Sequence, residues 1–300
     1  MSLETHIDRA RAVADRLFDA FQGDGPGIFG TKDMPEDLVP QGTSQGSREH
    51  LLFLTFTVAI DYLRDASQLW QASRLAFENP ATRFLFEPHR VAPMSHEDLM
   101  HWLKRLDVSR KHGPDAETWH AVGSILSQQF GGDVLQLVAS SDFDATYILR
   151  TIRQGATLVR FLSGDKIGPL WVRMLHDNGR LPLEKMNRLP IPVDVHVARA
   201  TLAVGGIIGA GLIDAGELYR AIQELWEQAC AGKPYYALRL DEPLWQQSRL
   251  GCTNRSSDDC AAASGCLLVD LCARGRIAFT DRGVDLDTAP LRPMFTANKA

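Results

Sequence analysis

GCTNRSSDDCAAASGCLLVDLC, residues 251–272, holds four of the five cysteines of this chain. Their spacing is Cys252-x7-Cys260-x5-Cys266-x5-Cys272. Thiols that lie this close in sequence are typical of either disulfide bonds or a metal centre. Disulfide bonds are expected in an oxidising compartment and a metal centre in a reducing one. Features elsewhere in the sequence indicate which compartment to expect.

The composition is that of an ordinary globular protein. The 300 residues are 45% hydrophobic and 23% charged, enough for a full core in one or two domains. No apolar run reaches the roughly 18 residues that a membrane-spanning helix needs. The N-terminus has a charged amphipathic pattern and not that of a signal peptide. We therefore expect a reducing, cytoplasmic location, where clustered cysteines bind metal more often than they form disulfides.

Charge is distributed unevenly along the chain. The net charge of −5 argues against non-specific coating of nucleic acid. Residues 150–190 nevertheless hold eight basic and three acidic residues. This segregation fits a surface that contacts phosphates, and it fits a solvated helix face equally well. The basic residues are Arg150, Arg153, Arg160, Lys166, Arg173, Arg180, Lys185 and Arg188.

Apolar residues recur with helical period over most of the chain, which predicts an all-α fold. Residues 3–21 form the first predicted helix, and the glycine- and proline-rich residues 23–47 form a long connection. A buried central helix follows and is interrupted at Asp61-Tyr62. Further helices begin near residues 66, 80, 96, 114 and 145, and no alternating strand pattern of useful length precedes residue 190. The expected helix N-caps are Ser47, Ser95 and either Asp142 or Asp144.

The segment FLSGDKIGPLWVRML, residues 161–175, predicts a tight turn followed by a helix. The helical stripe begins at Ile167, so Pro169 falls in the first turn, where its missing N–H is harmless. Lys166 then lies at the helix N-terminus. The helix dipole and partial burial both favour its neutral amine, which is the nucleophilic form. The alternative is an ordinary exposed first-turn lysine.

Residues 189–206, LPIPVDVHVARATLAVGG, predict an extended segment followed by another helix. Pro190 and Pro192 keep the chain extended, and Asp194 is placed to cap a helix from Val195 through Leu202. Taken alone, Asp194 is a structural N-cap. It becomes a functional candidate because a lysine and then a carboxylate begin two successive helices.

The order of SGDKIG, PVDVH and the four-cysteine segment resembles the helix-hairpin-helix, GPD-containing superfamily of base-excision DNA glycosylases. The similarity is greatest to the endonuclease III type, which carries an iron-sulfur cluster, with features of archaeal 8-oxoguanine glycosylases. It extends over about residues 48–275 and includes HAVGSILSQQFGGDV as the helix before the hairpin. The chain departs from the family pattern in three places. The hairpin lacks the proline and first glycine, Asp194 follows Lys166 by 28 positions, and Cys260-x5-Cys266 replaces a shorter gap.

The resemblance implies that the chain is a glycosylase that also acts as a lyase on double-stranded DNA containing a damaged or mispaired base. Lys166 would attack the sugar of a flipped nucleotide and form a Schiff base, and Asp194 would stabilise the developing positive charge. Asp61 corresponds to a position where the family often has a DNA-inserting glutamine. The further candidate DNA contacts are Tyr62, Arg160, Ser163, Gly164, Arg173 and Arg188.

The resemblance also implies a cofactor. Cys252, Cys260, Cys266 and Cys272 would ligate a [4Fe–4S] cluster, for which four thiolates are suited. Zinc is the alternative, but structural zinc sites commonly use close C-x2–4-C pairs, which this sequence lacks. Cys230 lies in an amphipathic segment and is expected in the core.

We therefore expect two helical lobes with an active site in the cleft between them. Residues 48–193 would form a six-helix-barrel-like domain with the hairpin, and residues 1–47 with 194–300 a second helical lobe carrying the iron-sulfur loop. Beyond Cys272, RIAFT is strand-like and the remainder loop-like. The expected protein is a monomer associated with the nucleoid and not with a membrane.

Two other functions fit the same residues. A monofunctional glycosylase would use Asp194 to activate water and Lys166 to contact phosphate. The second function is that of a cluster-bearing protein that binds nucleic acid without catalysis. The acidic net charge and the departure of the hairpin from the family pattern favour it.

Overall fold

The computed structural model describes residues 3–62, 64–154, 162–256 and 259–290. The chain divides into two compact units. Unit 1 comprises Met1–Lys32 with Pro190–Ala300, and unit 2 comprises Asp33–Leu189. The division expected from the sequence lay after residues 47 and 193.

The described residues form the following elements in chain order. The helices are α1 (Ile7–Phe21), α2 (Arg48–Ala59), α3 (Ala66–Glu78), α4 (Pro88–Val91), α5 (His96–Arg105), α6 (His112–Gln129), α7 (Val134–Ser140), α8 (Ala145–Ile152), α9 (Ile167–Asp177), α10 (Val195–Ala203), α11 (Ala215–Cys230) and α12 (Asp241–Gln246). The strands are β1 (Leu3–Thr5), β2 (Ile207–Ile213), β3 (Ala273–Thr280) and β4 (Gly283–Pro290).

Helix α2 lies at the centre of unit 2. Its residues from His50 to Ala59 are all buried, which confirms the predicted buried central helix. Trp171 in α9 donates its indole N–H to the Thr55 hydroxyl at 2.9 Å. This contact fixes α9, the helix that follows Lys166, to the core of its own unit.

The helices of unit 2 begin where short polar side chains satisfy their first N–H groups. Ser47 and Ser95 cap α2 and α5 as predicted, and Asp144, not Asp142, caps α8. Asp65 and Asp133 cap α3 and α7 in the same way. Helix α6 ends before Gly131 and Gly132, whose positive φ angles stop the helix.

Residues 33–47 are part of unit 2 because polar contacts join them to its helices. Glu36 forms a buried ion pair with Arg173, and Asn178 donates its side-chain amide N–H to the Asp37 carboxylate at 2.8 Å. Their sequence has no period, so it gives no sign of these contacts.

Unit 1 combines helices with a four-stranded antiparallel sheet in the order β1-β2-β4-β3. Helix α1 packs against α11, and α10 packs against α12 and β3. Strand β3 contains the predicted strand-like RIAFT, but the residues after it, expected to be loop, form β4. The chain is mostly helical as predicted, and the sheet is the departure from a wholly helical fold.

No helix in the described part of the chain is long and apolar enough to cross a membrane.

Candidate functional site

Lys166 lies where the sequence predicted it, directly before α9 and at the end of a turn. Its carbonyl accepts the Leu170 N–H at 3.2 Å, and the Gly164 carbonyl accepts the Gly168 N–H at 3.0 Å. The lysine side chain is half-buried. The turn and the first residues of α9 are therefore joined by backbone hydrogen bonds.

Arg153, just beyond the end of α8, ties this turn to α8. Its guanidinium donates to the Ser163 carbonyl at 3.0 Å and to the Gly164 carbonyl at 3.4 Å. It also pairs with the exposed Asp165 carboxylate at 3.1 Å. The pair compensates part of the negative charge that Asp165 brings to the turn. Arg153 was not among the predicted site residues, because only the fold shows that its guanidinium reaches the turn.

The Lys166 amine reaches the interruption between α2 and α3. Its Nζ donates to the Asp61 carbonyl oxygen at 3.4 Å. The Asp61 carboxylate accepts the Trp70 indole N–H at 3.3 Å, and only 7% of the residue is exposed. A carboxylate held inward in this way does not fit the predicted contact with DNA. Asp61 is therefore corrected to a structural residue, whose carbonyl contacts the lysine.

Tyr62, the next residue, remains a candidate for stacking on a base. Its side chain is 39% exposed. The Lys111 ammonium lies 4.7 Å from the centre of its ring, which is a cation–π contact. The exposed Tyr62 ring, with the Lys111 ammonium beside it, thus directly follows the residue whose carbonyl contacts Lys166.

The predicted arginines differ in their surroundings. Arg173 is 1% exposed and ion-paired with Glu36, so its assignment as a phosphate contact is wrong. Its position in the interior of α9 explains this, because α9 is buried on nearly every side. Arg188 is exposed, so its assignment as a phosphate contact stays a prediction. Arg160 lies outside the described residues.

Asp194, in unit 1, caps α10 as predicted. One carboxylate oxygen, Oδ1, accepts the backbone N–H groups of His196 at 2.8 Å and Val197 at 2.9 Å. The residue is half-buried, so the carboxylate keeps a fixed orientation and partial access to solvent. Asp194 is therefore the N-cap of α10.

The four clustered cysteines, also in unit 1, lie close enough to affect each other's ionisation. Burial raises the pKa of the Cys252 thiol to about 12, and the charges of the other three cysteines act in the same direction. Burial likewise raises the pKa of the Cys272 thiol to about 11, with contributions from Cys266 and Cys260. The widened gap between Cys260 and Cys266 is taken up by a short 3₁₀ helix, Ala263–Gly265. The longer gap is thus accommodated as a compact turn.

Arginines fix this segment to the rest of unit 1. Arg9 in α1 is 4% exposed and donates to the Leu271 carbonyl at 2.6 Å. Arg16, seven residues later in the same helix, pairs with the Asp270 carboxylate at 2.5 Å. Arg255 donates to the carbonyls of Ala203 and Ala273. The segment is therefore held on both sides by charge-assisted hydrogen bonds.

An aromatic ring covers the segment. The Phe29 ring lies against Gly251 and Gly265, which directly precede Cys252 and Cys266. A Cβ atom at Gly251 would lie 2.7 Å from this ring, so a larger residue would displace it. An apolar cover of this kind limits the access of water to a metal site.

Four cysteines are a donor set that an iron-sulfur cluster or a single zinc ion can take. Four thiolates around one zinc would lie about 4 Å apart, at Zn–S bonds of about 2.3 Å. Among the described residues, no three His, Cys, Asp or Glu side chains are arranged to hold a metal ion. Cys252 is buried and the other three are part-buried, and together they supply the type and number of donors that a four-iron cluster takes.

Comparison with solved structures relates this arrangement to known proteins. The chain is similar to endonuclease III in a non-covalent complex with DNA, with a TM-score of 0.53 and 14% identity, over 90% of this chain and 96% of that chain. It is also similar to a thermostable thymine-DNA glycosylase, with a TM-score of 0.50 and 12% identity, over 88% of this chain and 98% of that chain. No family model and no curated protein matches the sequence.

The chain therefore has the helix-hairpin-helix fold of DNA glycosylases. This confirms the fold that the order of Lys166, Asp194 and the cysteine segment predicted.

Proposed function

We propose that this protein is a base-excision DNA glycosylase with lyase activity on the resulting abasic site. The observation that carries the proposal is the position of Lys166. On a glycosylase fold, a half-buried lysine begins a helix at a turn fixed by Arg153. The same feature is the family's site for an amine nucleophile, and Asp194 begins a later helix as the family's carboxylate does.

The proposed substrate is double-stranded DNA with a damaged or mispaired base. Such a base must leave the stack before its sugar can be attacked, and unstacking costs a few kcal/mol, least at a damaged or mispaired site. The exposed Tyr62 would fill the space left in the duplex. The Ser163-Gly164 turn, the first turn of α9 and Arg188 would bind phosphates.

In the chemical step, the neutral Lys166 amine would form a bond to C1′ as the C1′–N bond to the base breaks. The base leaves with the electron pair of that bond and gains a proton. Asp194 would stabilise the positive charge that develops on the sugar, and would assist proton transfers. Loss of the amine proton and ring opening give a Schiff base. Removal of a C2′ proton then expels the 3′ phosphate by β-elimination.

We further propose that the four cysteines hold a [4Fe–4S] cluster, with zinc as the alternative. When bound, it would order the segment between Arg255 and Cys272. The proposed active form is a monomer in a reducing compartment that contains DNA.

Borohydride trapping tests the lysine chemistry. Wild type and Lys166→Gln are incubated with duplexes from a lesion panel, reduced, and assayed for covalent adduct and for released base. We expect an adduct with wild type and none with Lys166→Gln. Base release without any adduct in wild type would replace this mechanism by the monofunctional one, in which Asp194 activates water. If no lesion is processed, the non-catalytic alternative is correct.

A further inference from the structure

The most unusual backbone near the cysteines is the turn that leads into the first of them. Helix α12 ends at Gln246 and continues as a π-helical turn over Gln247–Gly251, directly before Cys252. Such turns insert an extra residue into a helix and occur frequently at functional sites. Its first residue, Gln247, is 1% exposed.

The Gln247 amide faces two of the cysteines. Its Nε2 lies 3.2 Å from the Cys266 sulfur and 3.7 Å from the Cys252 sulfur. The Leu268 backbone N–H supplies a further donor to Cys266 at 3.4 Å. The sulfurs of the first and third clustered cysteines are therefore joined through one amide group.

The other end of the same amide has no partner. Gln247 Oε1 is buried and accepts no hydrogen bond from any described residue. A buried, unpaired carbonyl oxygen is unfavourable, and an apolar side chain of similar size would avoid it. A thiol could donate to an amide oxygen, whereas a metal-bound thiolate can only accept. The Gln247 amide turns its N–H end towards the sulfurs, and this orientation therefore fits thiolates better than thiols.

The surroundings strengthen these hydrogen bonds. The absence of a side chain at Gly251 allows the Phe29 ring to close over the turn, and a Cβ atom there would lie 3.4 Å from Gln247 Nε2. Charge-assisted hydrogen bonds are stronger where water is excluded.

We propose that Gln247 is a positioning residue that donates both amide N–H groups to the thiolates of Cys252 and Cys266 and raises the reduction potential of the cluster they hold. This inference rests on the proposed iron-sulfur cluster. Hydrogen bonds to the sulfurs stabilise the more negative, reduced state, and they are among the features that set cluster potentials. Gln247 could not be identified from the sequence, because its contact with Cys266 joins positions 19 residues apart.

The test compares wild type with Gln247→Met and Gln247→Glu in the full chain. Methionine keeps the length and removes both donors, and glutamate keeps the shape but adds negative charge. The matched control is Gln223→Met, which removes an amide hydrogen bond to the Ile191 carbonyl elsewhere in unit 1. Iron and sulfide content and electron paramagnetic resonance establish loading, and protein-film voltammetry gives the midpoint potential.

We expect the potential to become more negative in Gln247→Met, to become more negative still in Gln247→Glu, and to be unchanged in Gln223→Met. Loaded variants with the wild-type potential would overturn the role of Gln247 and leave the cluster proposal standing. Wild-type protein without iron and sulfide would overturn both proposals.

A second measurement covers the case in which neither Gln247 variant acquires a cluster. Wild-type protein with ¹⁵N in its glutamine side chains is studied by pulsed electron paramagnetic resonance. We expect a coupling between the cluster spin and an amide nitrogen, and its absence would overturn the proposed hydrogen bonds.

Discussion

Asp194 has one observed role and one proposed role, and a substitution can separate them. Its Oδ1 satisfies two N–H groups at the start of α10, which is a structural contribution. Its negative charge is what the proposed chemistry requires. An asparagine keeps an oxygen that can accept the same two hydrogen bonds and removes the charge.

We expect Asp194→Asn to lower the single-turnover rate of base release by about 100-fold or more, as loss of an electrostatic or acid–base group does. Its unfolding free energy should change by less than about 1 kcal/mol, because the cap is kept. Asp194→Ala should lose the rate and, in addition, about 1 kcal/mol of stability. Rapid-quench assays and urea denaturation measure the two effects. Equal base release by wild type and Asp194→Asn on every lesion would contradict the assignment.

Single residues show what local sequence can and cannot predict. The cap at Asp194 depends on its immediate neighbours, so the sequence was sufficient. The Asp61 carboxylate is held by Trp70 in the next helix, and Arg173 is held by Glu36, 137 residues away in an aperiodic connection. In both cases the direction of the side chain, inward and not towards solvent, depends on the folded structure and not on the local sequence.

The turn before α9 and the end of α8 act as one element. Arg153 joins them by contacts with two backbone carbonyls and with the Asp165 carboxylate. Because the turn positions Lys166, loss of Arg153 should affect the chemistry without removing the nucleophile.

We expect Arg153→Met to lower the rate of adduct formation by about 10- to 100-fold at saturating DNA, since small displacements of a reacting group have effects of this size. The matched control is Arg150→Met in the same helix, whose guanidinium instead stacks 3.7 Å from the centre of the exposed Tyr147 ring. Borohydride trapping under single-turnover conditions measures both. A loss of the same size in the two variants would mean that charge alone, and not the contact with the turn, is responsible.

Helices and strands differ in how well the sequence predicts them. Caps and apolar period are local signals, and they predicted the starts of α2, α5, α8 and α10. Strand β2 was an apolar, glycine-broken run without a clear pattern, and its partner β4 lies more than 70 residues later. Pairing over such a distance leaves no trace in either segment alone.

At the scale of the whole molecule, a fold was predicted from three short motifs in a fixed order. The similarity to endonuclease III, at 14% identity over 90% of this chain, bears out the fold. The division into units was less predictable, because the contacts of Glu36 and Asp37 assign residues 33–47 to unit 2.

Stability of the folded chain should depend on pH through His50 in α2. Its side chain is fully buried, Nδ1 accepts the Gly46 N–H at 3.1 Å, and Nε2 has no partner among the described residues. Burial lowers the pKa of His50 from 6.5 to about 4. Between these pH values the unfolded chain binds a proton at His50 and the folded chain does not.

The free energy of unfolding should therefore fall as the pH decreases from 6.5, by up to about 3 kcal/mol at pH 4, and His50 should add no further loss below that. His50→Gln should remove this part of the pH dependence, because glutamine does not titrate. The exposed His101 provides the control, since His101→Gln should keep the wild-type slope. Urea denaturation of the full chain at a series of pH values measures all three. Parallel pH profiles for wild type and His50→Gln would show that His50 is protonated in the folded chain as readily as in the unfolded one.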